Sequence, residues 1–216
     1  MKSIKSKIFR SASLIALLIF SISASFAQNS PRAVLDKASA TLNGTGVTAS
    51  FSINVFNGTK LLGSSNGSIS IKGNKFYAST SQNIIWFDGK TEWTYVKKND
   101  EVNVSNPTEA QLQSMNPYRF INLYKKGFSL SMSDTKLRGG SAYSVHLKAQ
   151  NKNSEIQEMY IVVNKSNYQP MSVRMRKGDK QWYSISINNL QDKALNDNIF
   201  RFNHKDFPKA EIIDLR

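Results

Sequence analysis

From Val47 the chain alternates: Val47, Ala49, Phe51, Ile53 and Val55 are apolar, and Thr48, Ser50, Ser52 and Asn54 between them are polar. A period of two puts the first set on one face of a strand and the second on the other, the pattern of an antiparallel sheet with one face in water. Similar runs recur at 61–65, 67–72, 75–79, 83–87, 92–96 and 101–105, then at 128–132, 142–147, 155–163, 171–176 and 181–188. Asn57-Gly58, Asn66-Gly67, Gly73-Asn74, Asn99-Asp100 and Gly178-Asp179 punctuate them at short intervals, which predicts consecutive hairpins. Phe200-Arg201-Phe202 adds a last edge strand, for a sheet of about eleven strands.

Helical spacing is confined to three places. Ser30-Pro31 supplies an N-cap and a first-turn proline, and Val34, Leu35, Ala38 and Leu42 then repeat on one side until Asn43-Gly44. Asn106-Pro107 and Asn116-Pro117 each open a short helix, with Glu109 at the acidic position of a capping box. The second of these, 117–126, carries Tyr118, Phe120, Ile121, Leu123 and Tyr124 around more of its circumference than a surface helix needs. It is a buried core helix or a lid over the sheet.

These elements predict an α+β fold: one curved antiparallel sheet forming an incomplete barrel, with three helices covering the concave face. A sheet this wide curls, because neighbouring strands twist by roughly 20°. Three short helices are a modest filling for so many apolar positions, and the mismatch points to a cavity for a lipid-like ligand. The centre of the pattern is the hairpin 83–96, where Asp88-Gly89 suits a tight primed turn and Trp86 and Trp93 face each other across the ladder. Large rings on both faces need an apolar cover, a core helix or a ligand.

The N-terminus changes the setting. Lys2, Lys5, Lys7 and Arg10 precede the apolar run 14–20 and small residues at Ser25 and Ala27, the order of a secretory signal over residues 1–27 with cleavage after Ala27. The run is too short to span a membrane well. Residues 28–216 then form one exported domain. The chain has no cysteine, so neither a disulfide nor a thioether lipid anchor is available, which predicts a soluble, monomeric protein of a bacterial periplasm. The signal holds four of the positive charges and no acid, leaving +10 of the formal +14 for the rest. Outside the cytoplasm nucleic acid is not the expected partner, and the excess favours anionic membrane surfaces, acidic proteins or a generally solvated basic surface.

Catalytic patterns are absent. His146 and His204 are far apart without an acid pattern, so no metal is expected, and His146 is read as facing solvent. No serine lies in a Gly-x-Ser-x-Gly elbow, and Arg138-Gly139-Gly140-Ser141 reads as a hairpin turn rather than a phosphate loop. Glu155 and Glu158 project to opposite faces of a strand. The chain is read as a non-enzyme without a cofactor.

The stretch Trp86-Phe87-Asp88-Gly89-Lys90-Thr91-Glu92-Trp93-Thr94-Tyr95, the Asn-Pro insertion after it, and a tail running from Phe200 through Pro208 to Ile212-Ile213-Asp214 together resemble LolA, the periplasmic outer-membrane lipoprotein carrier family. The resemblance spans most of residues 28–216. It implies an open barrel with a helical lid and a cavity that shelters acyl chains in transit from inner to outer membrane. Acylated lipoproteins are then the cargo, with an inner-membrane lipoprotein-releasing ABC transporter and an outer-membrane acceptor as partners. On this reading the cavity is lined by Phe51, Ile53, Val55, Ile69, Ile71 and Leu130 from the strands, by Trp86, Trp93 and Tyr95 from the central hairpin, and by Met115, Phe120, Ile121 and Tyr124 from the lid. One departure stands out: better-known members carry Lys-Arg-Pro after the second strand, with the arginine tying sheet to lid, whereas this chain has Lys72-Gly73-Asn74. Only the lysine carries over, and Arg119 is a candidate substitute. The alternative within the same fold is a lipid- or lipoprotein-sensing regulatory binding protein.

Overall fold

The computed structural model describes residues 30–108, 111–112 and 119–216, with side chains from 122 onward in the last segment. The expected signal, residues 1–27, and Met115 lie outside the described residues, as do the side chains of Phe120 and Ile121.

Helix α1, Pro31–Ala40, starts as the sequence dictates: Ser30 Oγ accepts from the Ala33 N–H at 3.2 Å and Pro31 needs no partner. Twelve strands follow: β1 Val47–Asn57, β2 Lys60–Lys72, β3 Lys75–Thr80, β4 Asn83–Phe87, β5 Glu92–Val96, β6 Glu101–Ser105, β7 Phe128–Leu137, β8 Gly140–Ala149, β9 Ile156–Asn164, β10 Pro170–Lys177, β11 Trp182–Asp192 and β12 Glu211–Asp214. All lie in one sheet, ordered β12-β6-β5-β4-β3-β2-β1-β11-β10-β9-β8-β7. The long chain reversal through 106–127 thus splits two meanders that meet at β1 and β11.

The sheet is open and strongly bent. Arg138, in the β7–β8 turn, donates from Nη1 to the Ile187 carbonyl of β11 at 2.7 Å, although three strands lie between β7 and β11. At roughly 4.8 Å per strand a flat sheet puts those positions about 19 Å apart, far beyond an arginine's reach. The curl also lets α1 share one apolar core with Phe76 and Phe87 on one half and Met159 and Ile161 on the other.

Several expectations need correction. The count is twelve strands, not eleven, and β12 pairs with β6 in parallel, Glu211 opposite Glu101. Three helices are not present: among the described residues α1 is the one full α-helix, and the expected lid helix is a 3-10 helix at Arg119–Lys125. The first insertion is capped at Thr108, not Asn106: the Thr108 N–H donates to Gln111 Oε1 at 2.8 Å, and the Gln111 N–H returns to Thr108 Oγ1 at 3.3 Å. Asn66-Gly67 is no turn, since β2 runs straight through it. A Cβ on Gly67 would sit 2.6 Å from Cζ of Phe51 and 2.4 Å from the Ser79 carbonyl, so glycine here admits a cross-strand ring. Asp88-Gly89 belongs to a four-residue loop in which Asp88 Oδ1 accepts from the Lys90 and Thr91 N–H groups at 3.0 and 2.9 Å. Phe200 ends a 3-10 turn, Asp197–Phe200, rather than starting a strand.

Candidate functional site

The pairing register sorts the side chains into two faces. Val47, Ile71, Phe76, Phe87 and Glu92 lie in one cross-strand row, and Ile53, Ile185, Val173, Ile161, Val145 and Met132 in another on the same side. This inner face packs against α1. Along β1 the burial is graded: Val47, Ala49 and Phe51 are buried, whereas Ile53 and Val55, nearer the β1–β2 tip, are partly buried. The wall is therefore buried across β8 to β11, where Ile185, Val173, Ile161 and Val145 continue the row of Ile53, and is least covered along its β1–β2 arm.

The cover is fastened to α1. Tyr124 is buried and its hydroxyl donates a short hydrogen bond to Asp36 Oδ1; Ser39 Oγ donates to Asn122 Oδ1 at 2.9 Å; and the Arg32 guanidinium stands 5.7 Å from the Tyr124 ring centre. Burial first, then the Asp36 carboxylate that accepts its proton, pushes the Tyr124 phenol well above its ordinary range. Asp36 was not singled out in the sequence because it falls off the apolar stripe, which is where a polar latch has to be.

Of the expected wall residues, Phe51, Ile53, Ile69, Ile71, Tyr124 and Leu130 come together in this inner cluster. Val55 continues the same face toward the tip. Trp86, Trp93 and Tyr95 do not join them. They point to the opposite, outer face, where Trp86 meets Phe202 and Phe207 edge-on at 5.5 and 5.6 Å and Tyr95 meets Phe207 at 4.6 Å. The apolar cover anticipated for the tryptophans is thus the chain's own segment 198–210. It is pinned by Lys72 and Lys75, which grip the two oxygens of Asp197 at 2.8 and 2.6 Å, and by Arg201, 3.3 Å from Asp88. Hydrogen bonds from Lys72 and Lys75 hold the Asp197 carboxyl down at about 2. The lysine left after the loss of the expected arginine therefore ties the sheet to the C-terminal segment. A groove of about 800 Å³ remains between that segment and Tyr77, Ile84 and Trp86.

Glu92 is the unexpected member of the inner wall. It is only 5% exposed, Oε1 accepts from Thr94 Oγ1 at 3.0 Å, and Oε2 has no partner. Desolvation by burial raises its pKa, against the smaller opposing effect of the Thr94 bond. Facing outward on β8–β11, His146 is not simply solvated: it stacks on Tyr160 with centroids 4.4 Å apart, and its Nε2 lies 2.9 Å from Glu158 Oε1. Burial alone would raise the Glu158 carboxyl, but hydrogen bonds from Tyr160, His146 and Arg176 bring it below its ordinary range. This network is internally satisfied and presents no nucleophile. Among the described residues no cluster of three metal-ligating side chains occurs.

An open, bent sheet whose apolar inner face is covered by α1 and the 119–125 segment is a half-barrel. A similar solved structure is an uncharacterized conserved protein from Thermus thermophilus, 12% identical, with 86% of this chain and 99% of that one covered and a TM-score of 0.58. A LolA superfamily protein from Nitrosomonas europaea matches at 10% identity over 81% of this chain and 98% of its own, with a TM-score of 0.43. No curated protein sequence matches. The chain belongs to the family described as outer membrane lipoprotein carrier protein LolA, whose profile matches residues 21–179.

Proposed function

We propose that this protein is a periplasmic carrier that shelters the acyl chains of lipoproteins while they cross from the inner to the outer membrane, without catalysis. The observation that supports the reading is the inner wall: a continuous apolar face that is buried across β8 to β11 and loses cover along β1, from buried Val47 to partly buried Ile53 and Val55. Moving acyl chains through water costs about 0.8 kcal/mol per methylene, or about 12 kcal/mol for a chain of roughly fifteen. A wall that covers such a chain and lets it go again lowers that barrier. Membership of the lipoprotein-carrier family supports the same cargo, and an inner-membrane releasing transporter and an outer-membrane acceptor are the partners the route requires.

The test is release. Residues 28–216 are incubated with inner-membrane vesicles bearing a triacylated lipoprotein, and the supernatant is assayed. Soluble lipoprotein in a one-to-one complex is the expected result. Recovery of a transmembrane regulatory protein with no lipoprotein would instead support the sensing alternative.

A further inference from the structure

The β1–β2 hairpin ends in an unusual way. Leu61 and Leu62, directly after Lys60, are 52% and 47% exposed. Beside them lies the end of the β10–β11 hairpin, because Phe56 pairs with Leu61 on one side and with Trp182 on the other. The Trp182 ring lies 4.4 Å from the Arg174 guanidinium and 5.9 Å from that of Arg176, and Lys177 stands 5.0 Å from the Tyr183 ring.

The charge at this end is one-sided. Its acids are engaged: Glu158 by Arg176 at 3.3 Å, Glu155 by Lys177 at 3.5 Å, and Asp179 by the Tyr183 hydroxyl at 3.3 Å. Lys60 and Lys180 make no ion pair among the described residues, in a chain whose formal charge is +14. Exposed leucines, an indole and a phenol at one level, and free lysines around them are the chemistry that settles at a bilayer interface. The lysines add attraction to anionic headgroups. The same tip is the end toward which β1 and β2 become less buried.

We propose that the β1–β2 tip, with the adjoining Trp182 edge, docks on an anionic phospholipid surface and brings the less covered β1–β2 arm of the apolar wall against the bilayer. Its purpose rests on the carrier reading; the docking does not. The mature chain is sedimented with phosphatidylglycerol-containing vesicles and with purely zwitterionic ones, and loading of a fluorescent fatty acid is measured separately in solution. Native protein should sediment with the anionic vesicles and be released by high salt. L61D/L62D should lose binding by about tenfold or more while loading the fatty acid as native does, and K60E/K180E should lose the preference for anionic lipid. Ile212→Asp, at another exposed apolar position, should change nothing. The proposal is overturned if L61D/L62D sediments like native, if zwitterionic vesicles bind equally well, or if native ignores vesicles and self-associates through the leucines. Vesicle binding without fatty-acid loading removes the carrier reading and leaves the docking intact.

Discussion

Glu92 is a buried carboxyl set between Phe87 and Ser105 on the flanking strands, with one oxygen unpartnered. Its folded pKa lies above the ordinary 4.5, so between those two values the folded chain holds a proton that the unfolded chain has released. Stability therefore falls as pH rises through that window and stays lowered above it. Glu92→Gln keeps the bond to Thr94 and removes the ionisation. It is expected to stabilise near neutral pH and to do so less as pH falls toward 4.5, read as a melting-temperature difference that grows with pH. A constant difference across the range would contradict this. The residue was not legible beforehand, because Glu92, Thr94 and Val96 look like the wetted side of a strand whose other side is Trp93 and Tyr95. Both faces of β5 are covered here, and alternation distinguishes two faces without saying which one meets the helix.

Elements were legible where local chemistry decided them. The start of α1, the hairpin at Arg138 and the existence of β7 to β11 all follow from caps, turn residues and a period of two, although β7 runs on to Leu137 and β11 to Asp192, past the expected 132 and 188. They were misread where a distant partner decided them: Gly67 serves the Phe51 ring, and Phe202 serves Trp86. The lid segment is a 3-10 helix over Arg119–Lys125, and Tyr124 and Asn122 hold it to α1. Tyr124→Phe removes the bond to Asp36 and keeps the ring in place. Faster amide exchange across 119–125 and faster ligand loading are expected, with the far-UV spectrum unchanged. Unaltered exchange would mean that the latch holds nothing. The C-terminal segment answers to acid instead: the grip of Lys72 and Lys75 on Asp197 is complete above the ordinary carboxylate range and is lost as pH falls toward 2.

At the scale of the molecule, the open curved sheet was legible from strand number and twist, and the one-sided wall from the run Val47 to Val55. The assignment of the tryptophans was not, since it depends on a C-terminal segment far along the chain. A charge placed on the partly buried wall tests the molecule as a container. Ile53→Asp should lower acyl-chain loading by at least about tenfold, whereas Lys97→Ala, which removes one bond to the Thr80 carbonyl at 2.6 Å, should leave it near native. Equal losses would show that the wall does not hold the chain.

The seating of Phe202 and Phe207 over Trp86 has a consequence for how the protein matures. The indole is made early and its cover about a hundred residues later, so that patch stays wet until synthesis is nearly finished. With Trp93 and Trp182 replaced by phenylalanine, the fluorescence of Trp86 thus works as a clock for the last event of folding, and a chain stalled before residue 198 would leave a sticky aromatic surface bare.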